Sequence, residues 1–250
     1  LPGCGDRRLA ARRRRGAACR RGRRTGAASQ PSALLKPRLA PGRRLPRLIR
    51  EVGAIDGVER LRLSSIEVNH LSDELIAALR ETPAACRHLH VPLQSGDDGV
   101  LAAMGRRYTA AAYLRKLQPL DDFNLTADAI VGFPAEDDAA FERTLAVVEA
   151  ARLTKVHVFP YSPRPGTQTA LEDSVPARVK RERARRLREL SDTASRRRWR
   201  EMIGSEDVVL IDRPGRGYGA DYTPWLAPGP VGEFVRARAA DVTEEGILAV

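Results

Sequence analysis

Four short polar or glycine-bearing segments have the residue types of a ligand-binding site. They are residues 64–67 (SSIE), 94–96 (QSG), 132–134 (GFP) and 160–162 (PYS). Each directly follows a run of residues with a strand pattern. Because parallel strands of α/β barrels place their active sites at the carboxyl ends of the strands, these segments together predict one shared binding site.

The cysteines and histidines do not extend this site to a metal centre. Cys4, Cys19 and Cys86 contain no CxxC pair and no spacing that would assemble a zinc or iron–sulfur site. We therefore predict isolated reduced thiols and no metal ligand. His88 and His90 alternate on one predicted strand and so share a face, but without a third ligand they are interpreted as packing residues.

The elements that must position these segments alternate between helix and strand patterns from Leu45 onward. Helices are predicted at 45–52, 72–80, 97–104, 109–118 and 136–151, and strands at 58–63, 88–93, 125–131 and 155–159. Ser72 supplies a helix cap ahead of the first-turn acids Asp73 and Glu74. Four strands that each neighbour a helix imply parallel pairing, so the predicted fold is an α/β barrel or open sheet.

Two further units follow the last predicted strand. A long amphipathic helix is predicted over 176–202, with Pro176 suited to its first turn. Residues 203–250 change to short strands punctuated by Gly and Pro, which predicts a small all-β unit of the five-stranded, OB-like kind. The chain has no apolar run of the length that a transmembrane helix or a signal peptide requires. We therefore predict a cytoplasmic protein with no membrane partner.

Motifs over residues 45–171 resemble the radical S-adenosylmethionine (SAM) tRNA methylthiotransferases. They are LRLSSIE at 61–67, HLHVPLQSGD at 88–97 with MGRRYT at 104–109, AIVGFP at 129–134 and FPYSPRPGT at 159–167. The combination is most similar to the threonylcarbamoyladenosine tRNA methylthiotransferases. Residues 203–250 resemble the TRAM domain of this family, a small RNA-binding β-barrel, so the resemblance spans about four fifths of the chain.

The resemblance implies a partial radical SAM (β/α) barrel over 45–175, a linking helix over 176–202 and a TRAM-like β domain over 203–250. It also implies an enzyme that adds a methylthio group to C2 of N6-threonylcarbamoyladenosine beside the tRNA anticodon, using SAM, two [4Fe–4S] clusters, a sulfur donor and an electron donor. The CxxxCxxC loop of the family has no counterpart here. We therefore expect the chain to be N-terminally incomplete and inactive.

The basic charge of the sequence is concentrated at its start. Residues 1–44 hold 13 Arg and Lys36 against Asp6, whereas the remaining 206 residues hold 29 bases and 31 acids. This composition predicts a disordered tail, and a nucleic-acid-binding arm, a solvated tail and an out-of-frame translation of GC-rich DNA are all consistent with it. The last is favoured because the family pattern begins cleanly near Leu45. An open sheet edge predicts either a monomer or an aggregation-prone chain.

The resemblance places SAM contacts at six residues: Glu67, Gln94, Ser95, Arg106, Ile130 and Gly132. Gln94 and Ser95 would contact the ribose and the amino-acid moiety, and Arg106 would pair with the carboxylate. The backbone at Ile130 and Gly132 would approach the adenine. The structural alternatives are a helix-capping turn at Gln94 and Ser95, a solvated Arg106, and a tight turn at Gly132.

Two further residue sets would contact RNA or close the barrel. Tyr161, Arg164 and Thr167 form the predicted substrate loop. On the β unit the predicted RNA face consists of Tyr218, Tyr222, Arg236 and Arg238. The tyrosines would stack on unpaired bases and the arginines would reach phosphates. Packing in the barrel core is the alternative, and it is the favoured interpretation for Trp225.

Functions of different classes stay open at this point. One is a methylthiotransferase with SAM and tRNA as ligands. Another is a non-catalytic RNA-binding protein, in which the TRAM-like domain and the basic tail hold phosphates while the barrel is structural. A third, a radical SAM enzyme related to coproporphyrinogen dehydrogenase, is disfavoured by the TRAM-like end.

Overall fold

The computed structural model describes residues 45–164, 166 and 173–250, together with the backbone of a strand at Gly26–Ala28. Cys4, Cys19, Thr167 and most of the predicted disordered tail lie outside these residues. Among the helices that the structure describes, none combines the length and the apolar character that crossing a membrane would require.

Helices and strands alternate through the first unit, as the sequence predicts. The elements are β1 (Gly26–Ala28), α1 (Leu45–Gly53), β2 (Leu61–Leu63), α2 (Asp73–Glu81), β3 (His88–His90), α3 (Asp98–Ala103), α4 (Ala110–Leu117), β4 (Asn124–Val131), α5 (Asp138–Ala150), β5 (Lys155–Pro160) and α6 (Ala177–Glu201). Short 3-10 turns at Val68–His70 and Gln118–Leu120 connect some of them.

Side-chain caps fix where the helices begin. Ser72 accepts a hydrogen bond from the Leu75 N–H at 3.2 Å, as its position before two acids predicts. The same contact is made at the starts of α3, α4 and α5 by Asp97, Thr109 and Asp137. Each cap satisfies a backbone donor that has no partner inside its helix. The loops that carry the candidate site therefore run into helices with fixed starts.

The central sheet is parallel, in the order β3-β4-β5. His88 lies opposite Asn124, and Thr126 lies opposite Lys155. Because all three strands run the same way, their carboxyl ends share one edge. Buried apolar residues of this sheet and of α2, α4 and α5 form one continuous core. The sheet thus gathers the segments at 94–96, 132–134 and 160–162 on a single side.

The second strand departs from the predicted four-stranded arrangement. β2 forms no ladder with β3 in the described residues; Leu61 makes an isolated bridge to Ala85, ahead of β3. After β2, the Ile66 N–H donates to the His90 carbonyl at 2.9 Å. The other edge of β2 pairs in parallel with β1 at Gly26–Ala28, inside the stretch for which the composition predicts disorder. An unpaired strand edge offers hydrogen-bonding groups that a Gly-Ala-Ala backbone can satisfy without large side chains.

The long helix α6 packs along the edge strand β5. Its 25 residues bury Ala184 and Leu187 in the core of the sheet unit, and the Ser191 hydroxyl accepts the Val156 N–H at 2.9 Å. At its far end Trp199 and Met202 pack against the core of the following unit. The helix is therefore in contact with both units.

Residues after α6 form a closed five-stranded barrel, which confirms the predicted all-β unit. Its strands are β6 (Glu206–Arg213), β7 (Arg216–Tyr218), β8 (Pro224–Leu226), β9 (Phe234–Val242) and β10 (Ile247–Ala249), in the order β10-β8-β7-β6-β9. The core of the barrel surrounds Trp225, which is only 1% exposed. Trp225 is thus a core residue, as the sequence interpretation favoured.

Candidate functional site

A cavity of about 680 Å³ opens at the carboxyl ends of β3, β4 and β5. Its wall combines polar, charged and aromatic side chains, and its volume is in the range of small-ligand sites. The residues that line it are Gln94, Ala103, Met104, Arg106, Asp128, Ile130, Phe133, Phe159, Pro160, Tyr161, Ser162 and Arg164. This is the side of the sheet at which the sequence predicts a binding site.

Gln94 enters the cavity from a left-handed backbone conformation. Its φ is +67°, which is uncommon for a residue other than glycine. The conformation is held by β4, because the Gln94 N–H donates to the Asp128 carbonyl at 2.8 Å and its carbonyl accepts the Ile130 N–H at 2.9 Å. The side chain is 8% exposed. A strained residue whose surroundings hold it in place is a feature of functional sites.

Gly132 is enclosed by the linking helix. Its φ is +75°, and an added Cβ would clash with the Lys180 side chain. The Gly132 N–H donates to Glu136 Oε1 at 2.9 Å, and the same oxygen accepts from the Arg183 guanidinium at 2.6 Å. Burial raises the pKa of Glu136 even though these two donors oppose the shift. The loop after β4 is thus fixed by a buried ion pair to α6.

Several of the predicted contacts meet at the cavity. Arg106 and Arg164 are exposed residues of its rim, and Ile130 lies in its wall. Tyr161 packs edge-on against the Phe133 ring with centroids 5.2 Å apart, and its carbonyl accepts from Lys180 Nζ at 3.1 Å. Thr167, the third member of the predicted substrate loop, lies outside the described residues.

Glu67, Ser95 and Gly132 do not line the cavity. Glu67 is exposed ahead of the turn at Val68–His70. Ser95 is fully buried; its hydroxyl lies 3.3 Å from the Thr144 hydroxyl and accepts the Asp97 N–H at 3.2 Å. Asp97 rather than Ser95 caps the following helix, and the Ser95 hydroxyl supports the turn that leads into it. Ser95 and Gly132 thus lie in loops beside the cavity without lining it.

The sequence reasoning missed Asp128, a half-buried residue of the cavity wall. His90 Nε2 is 3.2 Å from its carboxylate, and this hydrogen bond lowers the pKa of Asp128. His90 Nδ1 and His88 Nε2 both contact the Thr126 hydroxyl, at 3.0 and 3.1 Å. The signal was present in the sequence, because Thr126 and Asp128 alternate with buried alanines and therefore point to one face of β4.

A second cavity of about 740 Å³ continues from Asp128 toward the β-barrel. Tyr218 and Tyr222 line it as a stacked pair with centroids 4.3 Å apart. The Arg62 guanidinium covers Tyr222 at 4.1 Å, and His88 lies 5.0 Å from the same ring. The two tyrosines therefore meet, but they face the parallel-sheet unit.

Arg60 separates the tyrosines from the other half of the predicted RNA face. Its guanidinium donates to the carbonyls of Val208 at 2.6 Å and Tyr218 at 2.7 Å, and it covers the Phe234 ring at 4.8 Å. Arg236 and Arg238 follow Phe234 on β9 with exposed side chains. The structure thus keeps the two arginines together on the barrel surface and places the tyrosines at the junction of the units.

The described residues do not offer ligands for an iron–sulfur cluster. Cys86 is their one cysteine, and it is 4% exposed. Burial raises the pKa of its thiol, which disfavours the thiolate that a cluster needs. No group of His, Cys, Asp and Glu residues in the described part of the chain is arranged to hold a metal ion. A cluster does not fit these residues.

Comparisons with known proteins identify the fold family. Residues 38–148 match the family described as the radical SAM superfamily. The chain is 40% identical over 218 residues to the threonylcarbamoyladenosine tRNA methylthiotransferase MtaB of Thermotoga maritima, a match over 83% of this chain and 50% of the relative. It is 44% identical over 174 residues to a tRNA-2-methylthio-N(6)-dimethylallyladenosine synthase of Alkalilimnicola ehrlichii, a match over 68% of this chain and 39% of the relative.

The similarity to solved structures is weaker than the similarity to these sequence relatives. The coproporphyrinogen III oxidase HemN of Escherichia coli, described as a radical SAM enzyme, matches with a TM-score of 0.46 and 16% identity over 54% of this chain and 32% of that chain. A score this low supports no conclusion about function. The chain spans half or less of the length of the two relatives above. By its sequence relatives, the chain belongs to the radical SAM tRNA methylthiotransferase family.

Proposed function

We propose that this chain provides the SAM-binding wall and the RNA-binding barrel of a tRNA methylthiotransferase. The observation that carries the proposal is the cavity at the carboxyl ends of β3–β5, where Gln94, Arg106, Asp128 and Ile130 meet. Gln94 and Arg106 follow β3 in the sequence, whereas Asp128 and Ile130 belong to β4. Their convergence gives one site with charged, amide and apolar walls.

The chemistry of this wall fits SAM. Arg106 makes no ion pair with any described residue and lies on the rim, where it would hold the carboxylate of the ligand. The Asp128 carboxylate would favour the positive charge of the ligand, and Ile130, Phe133 and Phe159 offer an apolar surface for its adenine. Bound SAM supplies a methyl group and, in this family, a radical. The residues here bind and orient it.

Unlike SAM, a [4Fe–4S] cluster does not fit the residues present, because the cysteines of this sequence lack the required spacing and Cys86 is buried. The radical step therefore cannot be assigned to residues of this chain. We also propose, from family membership, that the whole enzyme uses a sulfur donor and an electron donor. Under this proposal Ser95 and Gly132 shape the loops beside the cavity, and Glu67 has no part in its wall.

For the substrate we propose N6-threonylcarbamoyladenosine in tRNA, modified at C2. The support is the name of the relative from Thermotoga maritima, whose match covers 83% of this chain; two matches to dimethylallyladenosine synthases cover 68% and 79% of it. The substrate loop at Tyr161 and Arg164 lies on the same cavity rim as Arg106.

A second candidate is a non-catalytic RNA-binding protein. It is favoured by the missing cluster ligands and by the closed barrel, whose core is complete without a cofactor. Under this function Arg236 and Arg238 would contact RNA while the SAM cavity stays unused.

A chimeric enzyme separates these possibilities. Residues 45–250 of this chain replace the matching segment of the Thermotoga maritima relative, which supplies the cluster-binding part. We expect 2-methylthio groups on threonylcarbamoyladenosine when tRNA nucleosides are measured by mass spectrometry, with the unmodified relative as control. Methylthio groups on dimethylallyladenosine would refute the proposed substrate. A folded chimera that carries clusters and SAM but modifies neither nucleoside would favour the RNA-binding function.

A further inference from the structure

A separate cavity of about 410 Å³ lies at the opposite end of the sheet, on its helix-covered side. It opens between the ends of α4 and α5 and the last turns of α6, beside the first residues of β4. Four arginines line it, Arg115, Arg152, Arg197 and Arg198, over an apolar floor that includes Leu117, Leu120, Phe123 and Leu125. None of these residues belongs to the SAM cavity.

Three of the four guanidinium groups have no ion-pair partner among the residues that the structure describes. Arg115, Arg152 and Arg197 make no ion pair and no side-chain hydrogen bond with any residue that the structure describes. On α6, Arg185 pairs with Glu182 and Arg186 with Glu142, whereas Arg178, Arg181 and Arg188 are exposed and unpaired within the described residues. What distinguishes Arg115, Arg152 and Arg197 is that they line one cavity. Like charges that converge on one cavity repel each other, and a bound anion would relieve this repulsion.

Two carboxylates also line the cavity, which leaves four arginines against two acids. Asp121 lies 4.0 Å from Arg80, which is not part of the lining. Glu201 is the second acid of the lining and forms no ion pair within the described residues. Arg198 pairs with Asp221 at 2.6 Å, yet its Nε is buried without a partner among these residues. The ends of α4 and α5 offset part of the positive charge through their dipoles.

The backbone at Arg152 gives a second, independent observation. Its N–H donates to the Glu149 carbonyl and the next N–H to the Val148 carbonyl, which is the Schellman end of a helix. The residue has φ +52°. At the end of α3 the equivalent bonds are made around Gly105, with φ +71°. Glycine adopts this conformation without strain. Where α5 ends at the cavity, the chain instead carries an arginine despite the strain.

We infer that this cavity binds a nucleotide. The guanidinium groups of Arg115, Arg152 and Arg197 would hold the phosphate. The half-buried apolar side chains of Leu114 and Ala194 in the lining would pack against the base. The phosphate belongs either to a free mononucleotide or to a nucleotide of an RNA strand. The inference does not depend on the proposed SAM site, because it rests on residues at the opposite end of the sheet.

The test is hydrogen–deuterium exchange of the full chain, with AMP and oligouridylate as separate probes. The exchange is followed in peptides that cover 114–125, 150–154 and 194–201, so binding to the basic tail does not enter the measurement. We expect protection of these peptides by one of the probes. Protection by AMP assigns the site to free nucleotides, and protection by oligouridylate alone assigns it to RNA. If neither protects these peptides, the inference is wrong.

Two variants of equal charge make the test specific. The triple change of Arg115, Arg152 and Arg197 to Gln should raise the dissociation constant about tenfold or more. The matched control changes Arg178, Arg181 and Arg188 of α6 to Gln; these are exposed and make no ion pair with described residues. If the control loses as much affinity, binding follows net charge and the site is refuted.

The single variant Arg152→Gly distinguishes a ligand site from a folding requirement. It relieves the left-handed strain, so we expect an unchanged or higher melting temperature together with weaker protection by the probe. A variant that melts higher and binds as tightly as the parent would overturn the assignment of Arg152 to the site.

Discussion

The parallel-sheet unit and the β-barrel solve the same problem of backbone pairing in different ways. Every strand of the barrel has two neighbours, and its core surrounds one buried tryptophan. The sheet unit has only three strands in its main ladder, and its cavity loops are fixed from outside by α6 through Arg183 and Lys180. The difference teaches that the barrel holds its own shape, whereas the cavity at the carboxyl ends of β3–β5 depends on the helix that joins the two units.

The largest expected effect is in the barrel. Trp225→Ala removes the largest side chain of its core and should reduce the free energy of unfolding by about 3–5 kcal/mol. Hydrogen–deuterium exchange should rise in β6–β10 and much less in β3–β5. Equal loss of protection in β3–β5 would mean that the barrel does not hold its shape independently of the sheet unit.

A slightly smaller effect is expected at the clamp between α6 and the cavity. Arg183→Met leaves the buried Glu136 carboxylate without its ion pair and should cost about 3 kcal/mol of unfolding free energy in urea titrations. Arg185→Met, which breaks exposed pairs on the same helix, is the control and should change little. Similar losses of unfolding free energy for both variants would show that the Arg183–Glu136 ion pair does not stabilise the cavity loop.

Most elements could be predicted from the sequence, because caps and apolar patterns are local. The strand predicted at 88–93 forms a ladder only over His88–His90. It ends early because Pro92 has no N–H and Gln94 adopts a left-handed conformation. The N–H groups of Val91 and Leu93 still donate to carbonyls of β4. The sites were harder to predict. Tyr222 faces inward because of Arg62 and His88, which are more than a hundred residues away in the sequence, and such contacts leave no local pattern.

An effect of intermediate size is expected on the pH dependence of stability, through the buried His88 between the two units. Burial, together with the nearby Arg62, lowers the pKa of His88 to about 3 from 6.5; His90, Asp221 and Arg198 also act on it. The folded state therefore binds a proton less readily than the unfolded state. Stability should be complete above pH 6.5 and fall as the pH drops from there toward 3, by about 2 kcal/mol at pH 5.

Thermal melts at several pH values check this expectation. His88→Gln should flatten the dependence between pH 7 and pH 5, while His70→Gln, which changes an exposed histidine, should not. A parent protein that is equally stable at both pH values would contradict the buried, neutral state of His88.

The smallest expected effect on stability is on the barrel surface. Changing Arg236 and Arg238 together to Ala should leave the melting temperature nearly unchanged, because both side chains are exposed. It should weaken tRNA binding and reduce the slope of log affinity against log salt by about 1–2. Arg213→Ala with Arg216→Ala removes the same number of positive charges on another part of the barrel, where the two arginines pair with Asp212 and Glu245. An unchanged slope would remove the two arginines from the RNA face.

Calorimetric titration of SAM into the folded full chain tests the central claim most directly. We expect saturable binding of one SAM per chain at the cavity between β3 and β5. Arg106→Gln should weaken it about tenfold, whereas Arg107→Gln, an exposed neighbour that does not line the cavity, should bind like the parent. A folded chain that binds no SAM, or an Arg106→Gln variant that binds it as tightly as the parent, would contradict the account.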